Sequence, residues 1–333
     1  MIGVIYYERA VADHARTKQL FARFPHAVRV SCDRYGEVFN RGAQHFRLQK
    51  KRPSLILAHK HDNFVLAAPT GYGIGSPHNF YFSHLLNCLY DCRYCFLQGM
   101  FRSAHYLLFV NYDDFQDAID RQIAETPNAT FFSGYDCDSL ALDQITGFTE
   151  SFLPYFARRE PATLELRTKS VNVKSLLSRQ PLTNCVVAFS LTPPPIAADL
   201  EHGAPKVEHR IAVMERLAAH GWRLGLRIDP LIYHPDYQAH YDDLFTKIFS
   251  VLPQQALHSV SFGSFRLPKA FFGRMQRLYP DEPLFAGPLA QHGKMVGYQA
   301  ELERAMLEFC RQRLQRYMPA EKLFPCDYRQ QHR

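Results

Sequence analysis

Asn87-Cys88-Leu89-Tyr90-Asp91-Cys92-Arg93-Tyr94-Cys95-Phe96-Leu97-Gln98-Gly99 carries three thiols at C-x3-C-x2-C spacing. Thiolates this close on one loop suit an iron–sulfur cluster, and three ligands rather than four leave one iron of a [4Fe-4S] cube open to bind something else. Two other readings stand beside it. Structural zinc is four-coordinate, and His84, four residues before Cys88, offers a fourth donor; alternatively the three cysteines are unligated and buried. Zinc leaves Tyr90, Tyr94 and Phe96 unexplained, whereas aromatics around the loop suit a purine held beside a cluster. The other five cysteines, at 32, 137, 185, 310 and 326, are scattered. That is not the framework of a small disulfide-stapled protein, so a metal or redox site in a reducing compartment is expected. Cys32, Cys185, Cys310 and Cys326 read as structural thiols.

On either side of this loop the chain alternates short β-rich runs with helical periodicity. Strands are expected at 80–83, 106–110, 129–133, 163–167, 186–191, 224–228 and 259–262. Val207, Ile211, Met214 and Leu217 follow helix spacing, and Gly221 suits a left-handed cap after His220. Tyr241, Leu244, Phe245 and Ile248 mark the next helix. Asn111 stands where it can cap a helix whose first turn carries Asp113 and Asp114. Alternating β and α units imply parallel strands with helical crossovers, with sites at the carboxyl ends of the strands. Upstream, strands are expected at 27–31 and 54–58, and Pro69-Thr70-Gly71-Tyr72-Gly73-Ile74-Gly75-Ser76-Pro77 breaks regular structure. Its glycines lack the following Lys-Ser/Thr of a phosphate loop, so it reads as a linker. Three regions result: a basic amino-terminal part (1–77), a core (78–290) and a carboxyl-terminal helical segment (291–333) whose helix spans 301–317.

Of the 333 residues, 47% are apolar, which supports a sizeable core and excludes general disorder. No apolar run approaches a membrane span and the amino terminus has no secretory pattern, so a soluble, cytoplasmic protein is expected. The charge is uneven. Residues 1–77 hold 12 Lys and Arg against 5 Asp and Glu, while the remainder is balanced at 27 each. This excess is either a face for a polyanion such as DNA or a solvated surface.

The cluster loop resembles the motif of the radical S-adenosylmethionine (SAM) enzymes, C-x3-C-x-aromatic-C, here Cys88, Cys92, Tyr94 and Cys95. Its context resembles one branch, the spore photoproduct lyases and related DNA repair photolyases. Cys-Arg-Tyr-Cys-Phe-Leu-Gln at 92–98 is similar to that branch's Cys-His-Tyr-Cys-Tyr-Leu-Gln. Tyr-Leu-Leu-Phe-Val-Asn at 106–111, Thr168-Lys169 with Val173, Leu176 and Leu177, Phe189-Ser190, and the helix ending at His220-Gly221 also match, to roughly Leu278. The resemblance implies an α/β fold, a partial (β/α)6-type barrel holding a [4Fe-4S] cluster and SAM at its open end. Cys88, Cys92 and Cys95 would hold the cluster. Tyr94, Lys169, Ser190 and Asp138 would lie about SAM, where a carboxylate wants a cation or hydroxyl and an ammonium wants an acceptor. An electron donor such as flavodoxin or ferredoxin is implied as a partner.

The chain departs from the lyases at the hydrogen-atom donor. The family places a cysteine near the end of its third strand, and aligning Thr130-Phe131-Phe132-Ser133-Gly134-Tyr135-Asp136-Cys137-Asp138 on its acid puts Tyr135 there. Cys137 lies two residues on, about 6 to 7 Å along an extended chain, and reads either as a donor or as a small buried side chain. Phe96 replaces a tyrosine after the third cluster cysteine, while Tyr94 is kept. Tyr135, Cys137 and Tyr94 are therefore the catalytic candidates. Arg227 and Asp229 are placed at the rim, holding a substrate phosphate or each other, and Gly293-Lys294-Met295 as a loop over the site. Three functions follow: radical SAM chemistry on a damaged pyrimidine in DNA such as a thymine dimer, the same chemistry on a nucleoside, peptide or metabolite, or a zinc-binding nucleic-acid-binding protein.

Overall fold

Beyond residue 78 the alternating runs form a curled, mostly parallel sheet in a computed structural model that describes residues 2–326. Six strands succeed one another across its middle: Asn79–Tyr81, Thr130–Phe132, Thr163–Thr168, Cys185–Ser190, Arg223–Leu231 and Leu257–Ser264. Each neighbouring pair is parallel. Parallel neighbours require crossovers, and helices such as Val207–His220 and Tyr237–Val251 supply them. Helices on the outer face bury the strands on both sides, so Cys185–Ser190 is buried at every position and reads as an unbroken apolar run. The expected caps are partly met. Gly221 adopts φ 102° after His220, whereas Asn111 makes no capping bond and instead joins its side-chain amide to the backbone of Lys60.

The run at 106–110 forms a strand, Tyr106–Phe109, but not in the barrel. It pairs in parallel with Leu55–Ala58 in a second sheet ordered Val28–Cys32, Val4–Glu8, Leu55–Ala58, Tyr106–Phe109, Leu85–Leu86. All eight residues of the Leu55–Ala58 and Tyr106–Phe109 strands are buried, which satisfies apolar faces that neither segment covers alone. Val4–Glu8, not foreseen as a strand, pairs on both sides; its tyrosines are only partly covered, so it lacks a clear alternation. The basic first quarter is thus built into a sheet completed by chain on both sides of the cluster loop, and the boundary at 77 divides no sheet from another.

The boundary at 290 falls inside a hairpin, Leu289–His292 with Met295–Tyr298, which Arg266–Pro268 extends to three strands. Gly293 takes φ 59° at its turn. The helix Ala300–Leu314 buries Met306, Cys310 and Leu314. The segment is not wholly helical: Leu323–Pro325 joins the barrel sheet in parallel beside Leu257–Ser264. Leu66–Ala67 closes the other edge, antiparallel to Asn79–Tyr81. Among the described residues no helix is long and apolar enough to cross a membrane.

Arg227 lies inside the sheet's buried layer and not at the rim. Its Nη2 donates to Glu165 Oε2 at 2.7 Å and to Ser259 Oγ at 3.0 Å, and both charged side chains are fully buried. Gly225, two residues earlier on the same face, makes room: a Cβ there would sit 2.6 Å from Arg227 Nη2. Asp229 pairs instead with Arg266 at 3.0 Å. Removing Arg227 leaves the buried Glu165 to Arg167 alone, at 3.0 Å, so Arg227→Ala should cost about 3 kcal/mol, read as a lower urea midpoint.

Candidate active site

The carboxyl ends of the barrel strands open on a cavity of about 480 Å³. Its near wall is the cluster loop, tied down from both sides. Asn87, at φ 73°, donates its amide to the carbonyls of Ser103 at 2.8 Å and His105 at 2.7 Å. Asp91–Cys92 forms an antiparallel bridge with Glu201–His202. Gly99 lies against Phe271, where a Cβ would come 2.5 Å from the carbonyl oxygen. From the short amino-terminal helix Phe46–Lys51, Lys50 Nζ donates to the carbonyl of Cys88 at 2.6 Å. Lys50 therefore belongs to the site and not to the outward basic face.

All three loop cysteines line the cavity. Burial pushes the Cys88 thiol up to about 12 and raises Cys92 and Cys95 as well. Three sulfurs on a partly buried, cavity-facing loop are a soft-metal donor set, because a bound cation makes thiolates favourable there. They fit an iron–sulfur cluster. His84 does not complete a zinc site: it is not among the cavity walls, its ring stacks on Phe148 with centroids 3.9 Å apart, and burial lowers its pKa to about 3.

Facing the loop, Lys169 and Ser190 stand at the ends of adjacent parallel strands. Lys169 Nζ lies 3.8 Å from Glu201 Oε1 and 5.5 Å from the centre of the Tyr94 ring. Glu201 also accepts the Tyr94 hydroxyl and the Arg210 guanidinium. Burial opposes ionisation of Glu201, but Lys169, Arg210 and the Tyr94 hydrogen bond outweigh it and hold the carboxyl below its usual range. Neither Glu201 nor Arg210 is flagged by the sequence. The one available signal was Arg210 on the same helical face as Val207, Met214 and Leu217, where a charge needs a buried partner.

Asp138 fastens the strand ends together. Its carboxylate accepts from Thr168 Oγ1 at 2.6 Å, Lys169 N at 2.6 Å, Leu140 N at 3.0 Å and Ala141 N at 2.9 Å. Tyr135 stands in an aromatic wall, its ring centre 4.3 Å from Tyr81, 5.5 Å from Phe96 and 5.7 Å from Tyr72. Cys137 is buried and its Sγ points to the carbonyl of Ser133 at 3.6 Å. The nine residues singled out from the sequence, Cys88, Cys92, Tyr94, Cys95, Tyr135, Cys137, Asp138, Lys169 and Ser190, all line this one cavity. Met295 of the expected covering loop lines it too. So do Tyr72 of the glycine-rich linker, Arg167, Arg266 and Cys326, which no local pattern marked.

A family model for spore photoproduct lyase matches residues 79–322. The chain belongs to the spore photoproduct lyase family. It is a radical SAM enzyme of that family. The spore photoproduct lyase of Bacillus subtilis (strain 168) is 24% identical over 249 residues, covering 71% of this chain and 72% of that protein. That of Clostridium acetobutylicum is 22% identical over 200 residues, 59% of each. Among solved structures, a spore photoproduct lyase mutant with bound AdoMet and dinucleoside spore photoproduct superposes with TM-score 0.82 at 17% identity, covering 98% of this chain and 99% of that one. A spore photoproduct lyase complexed with the dinucleoside alone gives TM-score 0.82 at 18% identity, covering 98% of both chains. The likeness confirms the half-barrel.

The elevated Cys88 thiol sets a pH dependence for the metal-free protein. Thiolate accumulates only as pH climbs toward about 12, so alkylation of Cys88 by iodoacetamide should rise about tenfold per unit from pH 7 to 10. Peptide mass spectrometry reads it; a plateau near pH 9 would contradict the burial argument.

Proposed function

We propose that the chain binds a [4Fe-4S] cluster through Cys88, Cys92 and Cys95, binds SAM beside it, and acts on a damaged pyrimidine in DNA, a thymine dimer of the spore-photoproduct kind. The observation that carries this reading is the convergence on one cavity of three loop thiols and the Lys169 and Ser190 strand ends. A relative of the same fold holding AdoMet and dinucleoside spore photoproduct together supports it. When bound, the cluster and SAM supply a 5′-deoxyadenosyl radical, which removes a hydrogen atom from the substrate.

The protein's part is to hold and orient. The Lys169 ammonium and the Ser190 hydroxyl are suited to the charged amino-acid end of SAM, at strand ends whose backbone is in register. Glu201 keeps Lys169 and Tyr94 in place, and Asp138 pins the Lys169 backbone. Tyr90, Tyr94 and Phe96 exclude water from the loop side. Tyr72, Tyr81 and Tyr135 offer faces against which a base can stack. Lys51 and Arg52 are exposed on the segment whose Phe46 and Lys50 enter the cavity wall, placing cations where a phosphate backbone would pass. An electron carrier such as flavodoxin or ferredoxin would reduce the cluster.

Purified without oxygen, the protein should be brown and carry about four irons per chain. Cys88→Ala, Cys92→Ala or Cys95→Ala should lose both the colour and reductive cleavage of SAM; a colourless, zinc-loaded preparation would sink the cluster. With reduced enzyme, SAM and ultraviolet-irradiated DNA, mass spectrometry should show a thymine lesion disappearing. Steady SAM cleavage with no lesion lost would remove DNA as the substrate. Lys51→Gln with Arg52→Gln should lower the slope of log affinity against log salt by about two, and an unchanged slope would return those cations to plain solvation.

A further inference from the structure

We infer that Cys326 is the hydrogen-atom donor that quenches the substrate radical at the end of the reaction. This rests on the radical reading above, in which abstraction leaves a carbon radical that some X–H group in the cavity must reduce. Tyr135 occupies the position where the resemblance would place a cysteine, and two thiols outside the cluster motif, Cys137 and Cys326, line the cavity.

Cys326 does so through the carboxyl-terminal edge strand. Leu323–Pro325 runs parallel to Leu257–Ser264, so the residue after it emerges at the same mouth as the other strand ends. Its backbone N–H donates to the Phe262 carbonyl at 2.7 Å, its Sγ donates to the Gly71 carbonyl at 3.3 Å, and it lines the cavity. The largely buried Arg266–Asp229 ion pair, at 3.0 Å, lies in the same wall. Gly263 lets these groups converge, since a Cβ there would stand 2.8 Å from Cys326 Cβ, 2.9 Å from Arg266 Nη1 and 3.0 Å from Asp229 Oδ1. Gly71 leads into Tyr72, whose ring meets Tyr135. Cys137, the other thiol in the wall, directs its Sγ to the carbonyl of Ser133, which is not part of the cavity lining, whereas Gly71, the acceptor of the Cys326 thiol, is.

Chemistry favours the thiol form at Cys326. Burial and the Asp229 carboxylate push it up to about 12, so it carries its hydrogen at neutral pH, whereas a thiolate has no hydrogen atom to give. In the transfer the S–H bond breaks homolytically, the hydrogen atom forms a C–H bond on the substrate carbon, and a thiyl radical remains on Cys326. A small-molecule thiol, dithiothreitol in the assay, returns one hydrogen atom and is itself oxidised toward disulfide.

The test uses reduced, cluster-loaded enzyme with SAM and dinucleoside spore photoproduct, and counts repaired product per 5′-deoxyadenosine formed, a ratio that partial cluster loading does not change. Cys326→Ala should lower the ratio at least tenfold. Cys326→Ser, similar in size but holding its hydrogen in a stronger O–H bond, should lower it by a similar factor. In D2O the wild-type product should gain one deuterium from the exchanged thiol, and the serine variant's product less than a tenth as much. Full coupling in both variants would overturn this inference alone, as would a loss seen only in Cys137→Ala. Wild-type enzyme that cleaves SAM yet leaves the dinucleoside intact would overturn it together with the DNA-lesion reading.

Discussion

The buried carboxylate of Glu201 joins the three parts of the molecule that have to meet. It accepts from Tyr94 of the cluster loop, from Arg210 of a barrel helix, and faces Lys169 at a strand end. Charge in a dry interior is tolerated only when every neighbour is committed to it. Here two cations and a phenol answer one carboxylate, so the cluster loop cannot shift without stranding charge. The adjoining bridge between Glu201–His202 and Asp91–Cys92 holds the same register through the backbone. Asp138 does the corresponding work across the sheet, tying Thr168 and Lys169 to the turn that carries Tyr135 and Cys137. The cavity is preorganised because these two carboxylates leave its walls little freedom.

The amino-terminal sheet supports that arrangement from behind. Leu55–Ala58 and Tyr106–Phe109 bracket the cluster loop in sequence and pair in space, so the loop lies within the connection between two buried parallel strands. The short helix Phe46–Lys51 then lies against the loop, with Lys50 on the Cys88 carbonyl and Gln49 accepting from the Ala104 N–H. A net excess of positive charge in the first quarter thus has two components. Several cations are spent inside the protein: Arg16 stacks on Tyr112 at 3.7 Å and donates to the Thr146 carbonyl at 2.9 Å. Others, such as Lys51 and Arg52, remain exposed.

Much of the barrel was legible because its signals are local and periodic. Strands buried on both faces read as apolar runs, helices as 3.6-residue stripes, and the cap at Gly221 as a glycine where only a left-handed turn ends the helix. The nine residues named from the sequence share one cavity for a different reason: the thiol motif and the resemblance to the lyases pick out positions along the chain, and the strand ends bring them together. Arg227 was misread because a strand position shows which face a side chain takes but not how deep in the barrel it sits. Its partner, Glu165, is 62 residues away.

By itself the sequence determined the alternation of parallel strands and helices, the three-thiol loop, and the polar strand ends, since each depends on spacing within a few residues. Tertiary structure alone decided that Tyr106–Phe109 leaves the barrel for the amino-terminal sheet, that Lys50 turns inward to Cys88, and that Glu201 answers Lys169 and Arg210. It also decided that Cys326, read from sequence as one more structural thiol, reaches the active cavity. The physical reason is common to all four. A buried polar group or an open sheet edge must be satisfied by whatever the fold brings alongside it, and the partner stands on another element of the chain.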